Sequence, residues 1–281
     1  MSSGSNHWDE SAEDYFRHVQ RFSTHRRITT LLAANCETKP SKIIDFGCGP
    51  GNSTAVLSQL FPEATAIIGI DSSQAMLDIA VSQNPASRVS YLLASSDLSQ
   101  LSGASPFDAV FFSNSFFHVE DKKTLLRTIA PLLTDEGRLY FSMYESVFHP
   151  KQFVWPYSNR TADKLMDDMI KELQARGISY EHRQEDREVF SEASLLALFR
   201  ETGFSLRLGA VIALERKKQE RLSFLKIPAV SEEVFPGVAR DIVNESLDSM
   251  SHFRYAPQTR NVFVFSAQLA SNGAFGADAT T

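Results

Sequence analysis

Three glycines at alternate positions, Gly47, Gly49 and Gly51, and an acid twenty positions beyond them, Asp71, are the residues of this 281-residue chain best spaced for chemistry. Glycine lets a backbone turn sharply and lets a ligand approach closely. An acid at that distance can reach a ribose hydroxyl pair. The run Gly47-Cys48-Gly49-Pro50-Gly51 does not have dinucleotide spacing, and Pro50 removes an amide that could bind pyrophosphate. No Lys-Ser or Lys-Thr pair follows, so the run is not a P-loop. A ribonucleoside without phosphates fits better.

Such a grip needs a strand before the turn, a helix after it and a second strand to deliver the acid. Ile43 to Phe46 is a short apolar run that suits a buried parallel strand. Asn52 or Ser53 can cap a helix with Val56, Leu57 and Leu60 on its apolar face, ended by Pro62. Ala66 to Ile70 is the second strand. Val89 to Leu93, Phe107 to Phe112 and Arg138 to Met143 read as further strands, and Asn261 to Leu269 as the last. Lys122 to Leu133 is a helix with Leu125, Leu126, Ile129 and Leu132 on one face. Five βα units favour one sheet with helices on both sides.

Phe46 to Thr54 and Gly69 to Leu77 resemble the first two motifs of class I S-adenosylmethionine-dependent methyltransferases, with wording closest to the trans-aconitate methyltransferase branch. The resemblance covers residues 40 to 145 well. It implies an α/β, Rossmann-like class I methyltransferase fold, with a mostly parallel seven-stranded sheet and an inserted helical cover. It implies S-adenosyl-L-methionine as cofactor, with Asp45, Gly47, Gly49, Asp71 and Ser72 in the binding motifs. Met76 is placed beside adenine or in plain core. Ser95 and Ser96 stand where the family has an acid and a small residue facing the adenine amino group. Asp97 either replaces that acid or is a turn residue. Ser113 and Asn114 belong to the strand-four motif that faces the methionine end. His118 stacks, donates to substrate or acts as a base, or else is satisfied at a helix N-terminus. Tyr15 is a lid residue over the cofactor or packs on the sheet.

Around that core, residues 1–36 read as N-terminal lid helices, helical from about Asp9 to Ala34, with His25, Arg26 and Arg27 on a solvated face. Residues 146–190 read as an inserted substrate cover. Phe153 and Trp155 are its walls and Arg160 the cation that would orient an acidic substrate. It continues into a helix through Leu165, Met169 and Leu173 that Gly177 ends. Residues 191–270 supply the C-terminal helices and last strands: a helix Ser191 to Thr202 burying Leu195, Leu196, Leu198 and Phe199, a strand from Phe204 to Ala213, a charged helix Arg216 to Leu225, and one long helix Ser231 to His252. The whole is read as a single methyltransferase domain.

The net charge of −6 argues against nucleic acid as substrate. Two cysteines, one in the glycine turn, fit a reducing cytosol, and no apolar run approaches membrane-spanning length. The expectation is a cytoplasmic monomer or homodimer acting on a small molecule in secondary metabolism, with no metal. Three acceptors are open. A carboxylate needs no base but a cation such as Arg160 or Arg254; a hydroxyl needs a base such as His118; an alkene carbon needs aromatic faces. Carboxylate O-methylation leads by resemblance. C-methylation of an isoprenoid or other apolar intermediate follows, and a non-catalytic cofactor-binding partner is the reading from another class.

Overall fold

The computed structural model describes residues 7–94, 98–101, 103, 106–150, 163–180 and 188–270. In chain order the elements begin with α1 (Ala12–Arg21), α2 (Thr24–Ala34), β1 (Lys42–Phe46), α3 (Asn52–Leu60), β2 (Ala66–Asp71), α4 (Gln74–Gln83), β3 (Val89–Leu93) and β4 (Phe107–Phe112). They continue with α5 (Lys122–Ile129), β5 (Leu133–Tyr144), β6 (Phe148–His149), α6 (Lys164–Ala175), β7 (Phe190–Ser191), α7 (Glu192–Glu201) and β8 (Phe204–Arg216). The chain closes through α8 (Lys218–Leu225), α9 (Pro228–Val234), α10 (Arg240–Ser249) and β9 (Gln258–Leu269).

Seven strands form one sheet in the order β3-β2-β1-β4-β5-β9-β8. The first five pair in parallel. β9 runs antiparallel between β5 and β8. The strand order reverses between β1 and β4, which opens a crevice at their carboxyl ends. Neighbouring residues divide between the two faces, as a pleat requires. Ile44, Val110 and Phe141 belong to a core with α5 and α7, where Phe141 stacks on Phe199 at 5.1 Å and Phe265 at 4.9 Å. Ile43, Ala109 and Phe111 belong to the opposite core, with Ile28 and Leu32 of α2 and Leu57 of α3.

A third core lies apart from the sheet. Leu165 and Met169 of α6, Leu222 of α8, Val230 of α9 and Leu247 of α10 pack together, with Trp8 and Tyr15 against them. This helical layer draws on three separate stretches: the N-terminal segment, α6, and the long crossing between β8 and β9.

Several local expectations change. The N-terminal helices, expected without a stated boundary between Asp9 and Ala34, divide at Phe22, which is extended (φ −119°, ψ 135°). The helix expected from Ser231 to His252 is also two, broken at Pro236-Gly237, where Gly237 takes φ +78°. Ser53 does not cap α3; Gly51 does, at φ +82°, and Ser53 turns inward. Leu60 and Leu196, expected inside, are exposed because each lies on the outer side of its helix. β8 runs on to Arg216, which is therefore a strand residue rather than the start of a helix.

Candidate active site

The glycine turn is pinned from three sides. Gly47 N and Cys48 N donate to Ile70 O at 2.7 and 3.0 Å, tying the turn to β2. Gly49 N donates to Asp71 Oδ2 at 2.8 Å, and Ser73 N to Asp71 Oδ1 at 3.0 Å. Ser115 Oγ donates to Phe46 O, joining the ends of β4 and β1. Gly47 sits at φ +71°, and a Cβ there would lie 2.3 Å from Ser115 Cβ, so only glycine fits. Burial pushes the Asp71 carboxyl up from its ordinary value, against the backbone N–H groups of Ser73, Gly49 and Ser72.

Asp45 lies beneath the turn rather than on its surface. It is fully buried, and its Oδ2 accepts from Ser53 Oγ at 2.6 Å and Thr54 Oγ1 at 2.7 Å. Burial pushes its carboxyl from 3.8 up to about 6, against the Ser53 and Thr54 hydroxyls. Such a raised value stabilises the fold in full below pH 3.8 and loses that contribution as pH rises through about 6. We therefore expect a carboxyl carbon resonance that titrates near 6 and vanishes in Asp45→Asn. A midpoint near 4 would show that the hydroxyls outweigh burial.

At the end of β4, Ser113 Oγ and Asn114 Nδ2 are buried without hydrogen-bond partners. Asn114 holds φ +62°, a left-handed conformation rare outside glycine and often found at working sites. Its Oδ1 accepts from Ser142 Oγ at 3.3 Å. Met76 is buried in the first turn of α4 and Ser72 is exposed just ahead of it.

α1 lays the Tyr15 ring over this floor. Tyr15 Cε1 lies 3.5 Å from where a Gly49 Cβ would stand. Burial, then Tyr144 and Asp71, pushes its hydroxyl above the ordinary range, so it stays protonated. Trp8 meets Tyr15 edge-on at 5.6 Å and His118 edge-on at 6.1 Å. Ahead of α1, Asp9 Oδ1 accepts from Ser73 Oγ at 2.5 Å and from Ala75 N at 3.3 Å, fastening the segment beside Asp71.

A cavity of about 140 Å³ opens between this floor and the helical layer. Asn114, His118 and Tyr15 line one part of it, and Arg216, Arg260 and Phe224 another. The Arg216 guanidinium stacks 4.7 Å from the centre of the Phe224 ring. Its Nε is buried without a hydrogen-bond partner, and Glu220 comes no nearer than 3.9 Å. Burial lowers its pKa, though an arginine keeps its charge.

The sequence-predicted residues thus divide. Tyr15, Asn114 and His118 line one cavity, close to the turn of Gly47 and Gly49 and the half-buried Ser113 and Asp71. Ser95, Ser96, Asp97, Phe153, Trp155 and Arg160 lie outside the described residues. Arg254 is exposed and does not line the cavity. His25 is not on a solvated face, although Arg26 and Arg27 are exposed; it lines the cavity. Sequence reasoning missed His25, Arg216 and Arg260 as cavity residues. The available signal was a cation near the end of each strand of the last hairpin.

A glycine turn facing an acid at the next strand end, set at the switch point of this sheet, defines a Rossmann-like class I methyltransferase fold. Residues 15–208 match the family described as the methyltransferase domain. The chain belongs to this family, the class I S-adenosylmethionine-dependent methyltransferases. Trans-aconitate 2-methyltransferase of Yersinia pseudotuberculosis is 33% identical over 143 residues, 51% of this chain and 52% of that protein. The enzyme of the same name from Methylobacterium radiotolerans is 34% identical over 125 residues, 44% and 46% of the two chains. The chain spans about half the length of these curated relatives. In fold it is similar to the methyltransferase solved with the Haloferax volcanii Trm112 activator (TM-score 0.55, 17% identity, 96% of this chain and all of that one). Among the described residues no helix is long and apolar enough to cross a membrane.

Proposed function

We propose that the chain transfers a methyl group from S-adenosylmethionine to a carboxylate of a small-molecule acid. The observation that carries this reading is the arginine pair, Arg216 and Arg260, in the cavity wall. A planar, permanently charged guanidinium suits a carboxylate. Relatives named for a methyltransferase acting on trans-aconitate support the same class of acceptor.

The residues present fit the family's cofactor. Asp71 at the end of β2 would take its ribose hydroxyls, and the unpartnered Ser113 Oγ and Asn114 Nδ2 its amino-acid end. Gly47 lets Ser115 pack against the turn, and Gly49 N fixes the Asp71 carboxylate; the adenine end would fall to Met76 and to Ser95, Ser96 or Asp97. When bound, S-adenosylmethionine supplies a methyl group already activated on a sulfonium. The protein's work is then to hold and to shield. Arg216 and Arg260 orient the acid, and positioning of this kind can lower a barrier by about 7–11 kcal/mol. Tyr15, Trp8 and the helical layer act as a cover that excludes water. A carboxylate is ionised near neutral pH and needs no base, so His118 serves as wall. Of the segment expected as a cover, α6 joins this layer, whereas Phe148 and Phe190 at its ends pack in the sheet core.

The aromatic wall of Trp8, Phe117, Tyr144 and Phe224 keeps C-methylation of an apolar intermediate as a second reading. Transfer of labelled methyl into a panel of small acids and a panel of isoprenoids decides between them. On an acid, Arg216→Gln should raise KM about 10–100-fold, the worth of one charge-assisted contact, with cofactor affinity unchanged. An unaltered KM in both Arg216→Gln and Arg260→Gln would remove the acid reading.

A further inference from the structure

His25 is the second residue of α2, in its first turn after the break at Phe22, and it lines the same cavity as Arg216. Its ring is held edge-on by two others, Tyr15 at 5.6 Å and His18 at 6.0 Å. His18 is itself fixed, with Nδ1 3.0 Å from Ser223 Oγ on α8. His25 Nδ1 is buried and has no hydrogen-bond partner. A buried polar atom left unpaired in a rigid surround is uncommon, and here the ring that carries it also lines the cavity wall.

We propose that His25 contacts the acceptor, its neutral imidazole N–H donating to an oxygen of the acid group that Arg216 holds. The inference deepens the carboxylate reading and rests on it. A carboxylate only accepts hydrogen bonds, so its oxygens need more donors than one arginine places in a given direction. Arg216 and Arg260 are the two cations of this wall, and a third would bury another charge. A neutral ring supplies an N–H without that charge. Burial, then His18 and Arg216, pushes the His25 pKa down to about 3, which keeps the ring neutral at neutral pH. The edge-on contacts fix the ring plane, so the donor direction is set before the acceptor arrives.

The test uses the full chain, the acid best methylated in the panel, and the variants His25→Phe and His25→Asn. Phenylalanine keeps the ring contacts with Tyr15 and His18 and removes the donor; asparagine keeps a donor. We expect His25→Phe to raise KM for the acid about tenfold, with kcat within about threefold and cofactor affinity by calorimetry unchanged, and His25→Asn to recover most of the loss. An unchanged KM in His25→Phe, or an equal rise in both variants together with weaker cofactor binding, would overturn the proposal and reduce His25 to packing. A rise in Arg216→Gln or Arg260→Gln with none in His25→Phe overturns only the role of His25; no rise in any of the three overturns the acid reading as well. If His25→Phe does not fold, the imidazole nitrogen resonances of the unaltered enzyme decide: a shift at His25 on adding the acid supports the contact, and none rejects it.

Discussion

Asp71→Asn is expected to weaken binding of S-adenosylmethionine by up to about a hundredfold. The Asp71 oxygens each accept a backbone N–H, from Gly49 and from Ser73. An asparagine offers one oxygen and one amino group in the same space. One of those N–H groups would then meet a donor in a buried site, and the acceptor proposed for the ribose hydroxyls would be halved. The mismatched N–H is there before the cofactor arrives and costs stability; the lost ribose contact, a hydrogen bond to a charged group worth about 1.5–3 kcal/mol, weakens binding by up to about a hundredfold. Calorimetry with the cofactor or its demethylated product measures this. Undiminished affinity in the variant, or tighter binding of NAD by the unaltered chain, would mean that Asp71 does not hold the ribose.

The larger effect on stability is expected from Gly47→Ala. Two costs fall on the same atom. The backbone holds φ +71°, which an L side chain adopts only with strain of about 1–3 kcal/mol. The new Cβ would lie 2.3 Å from Ser115 Cβ, and relieving such overpacking costs about 1–3 kcal/mol more. For a chain of this size the sum lowers Tm by roughly 10 °C. The two costs can be separated in a Ser115→Gly background, which lacks both the steric overlap and the Ser115 Oγ–Phe46 O hydrogen bond. Adding Gly47→Ala to Ser115→Gly should lower Tm by about half as much as it does in the unaltered chain. A single variant with unaltered Tm would show that the ends of β1 and β4 yield at this point.

The sequence was most legible where the site depends on near neighbours. Ile43 to Phe46, the glycines, α3 and Asp71 are close in the chain, and the turn chemistry of glycine is local. Ser191 was legible for the same reason: it caps α7 with its own hydroxyl, accepting from Ser194 N at 3.1 Å. Legibility failed where distant segments decide. His25 sits in a polar run that reads as surface, and only the packing of α1 and α8 around it makes it interior. Arg216 read as a helix start because Lys217 and Lys218 follow it; its pairing with Gln258 on β9 keeps it in the sheet. Ser53 had the right type and place for a cap, but the buried Asp45 beneath it takes the hydroxyl. Pro236-Gly237 is different, since that break was written locally and the apolar spacing around it hid it.

The position of β9 bears on how the chain is made. Of the seven strands of the sheet it comes last in the chain, yet it lies inside the sheet, between β5 and β8. Until it arrives, β5 has an unpaired edge facing outward and β8 has no partner in the sheet, the kind of exposure that recruits chaperones or seeds aggregation. The helical layer waits on the same event, since α8, α9 and α10 hang between β8 and β9 and must close back on α1 and the residues just ahead of it. Ala229 N donates to Ser11 Oγ at 2.8 Å across 218 positions, and Arg240 reaches Asp14 at 3.0 Å. Nascent chains stalled before Gln258 would therefore carry a formed nucleotide half and a loose lid, and the reaction chamber would close only with the final dozen residues of sheet.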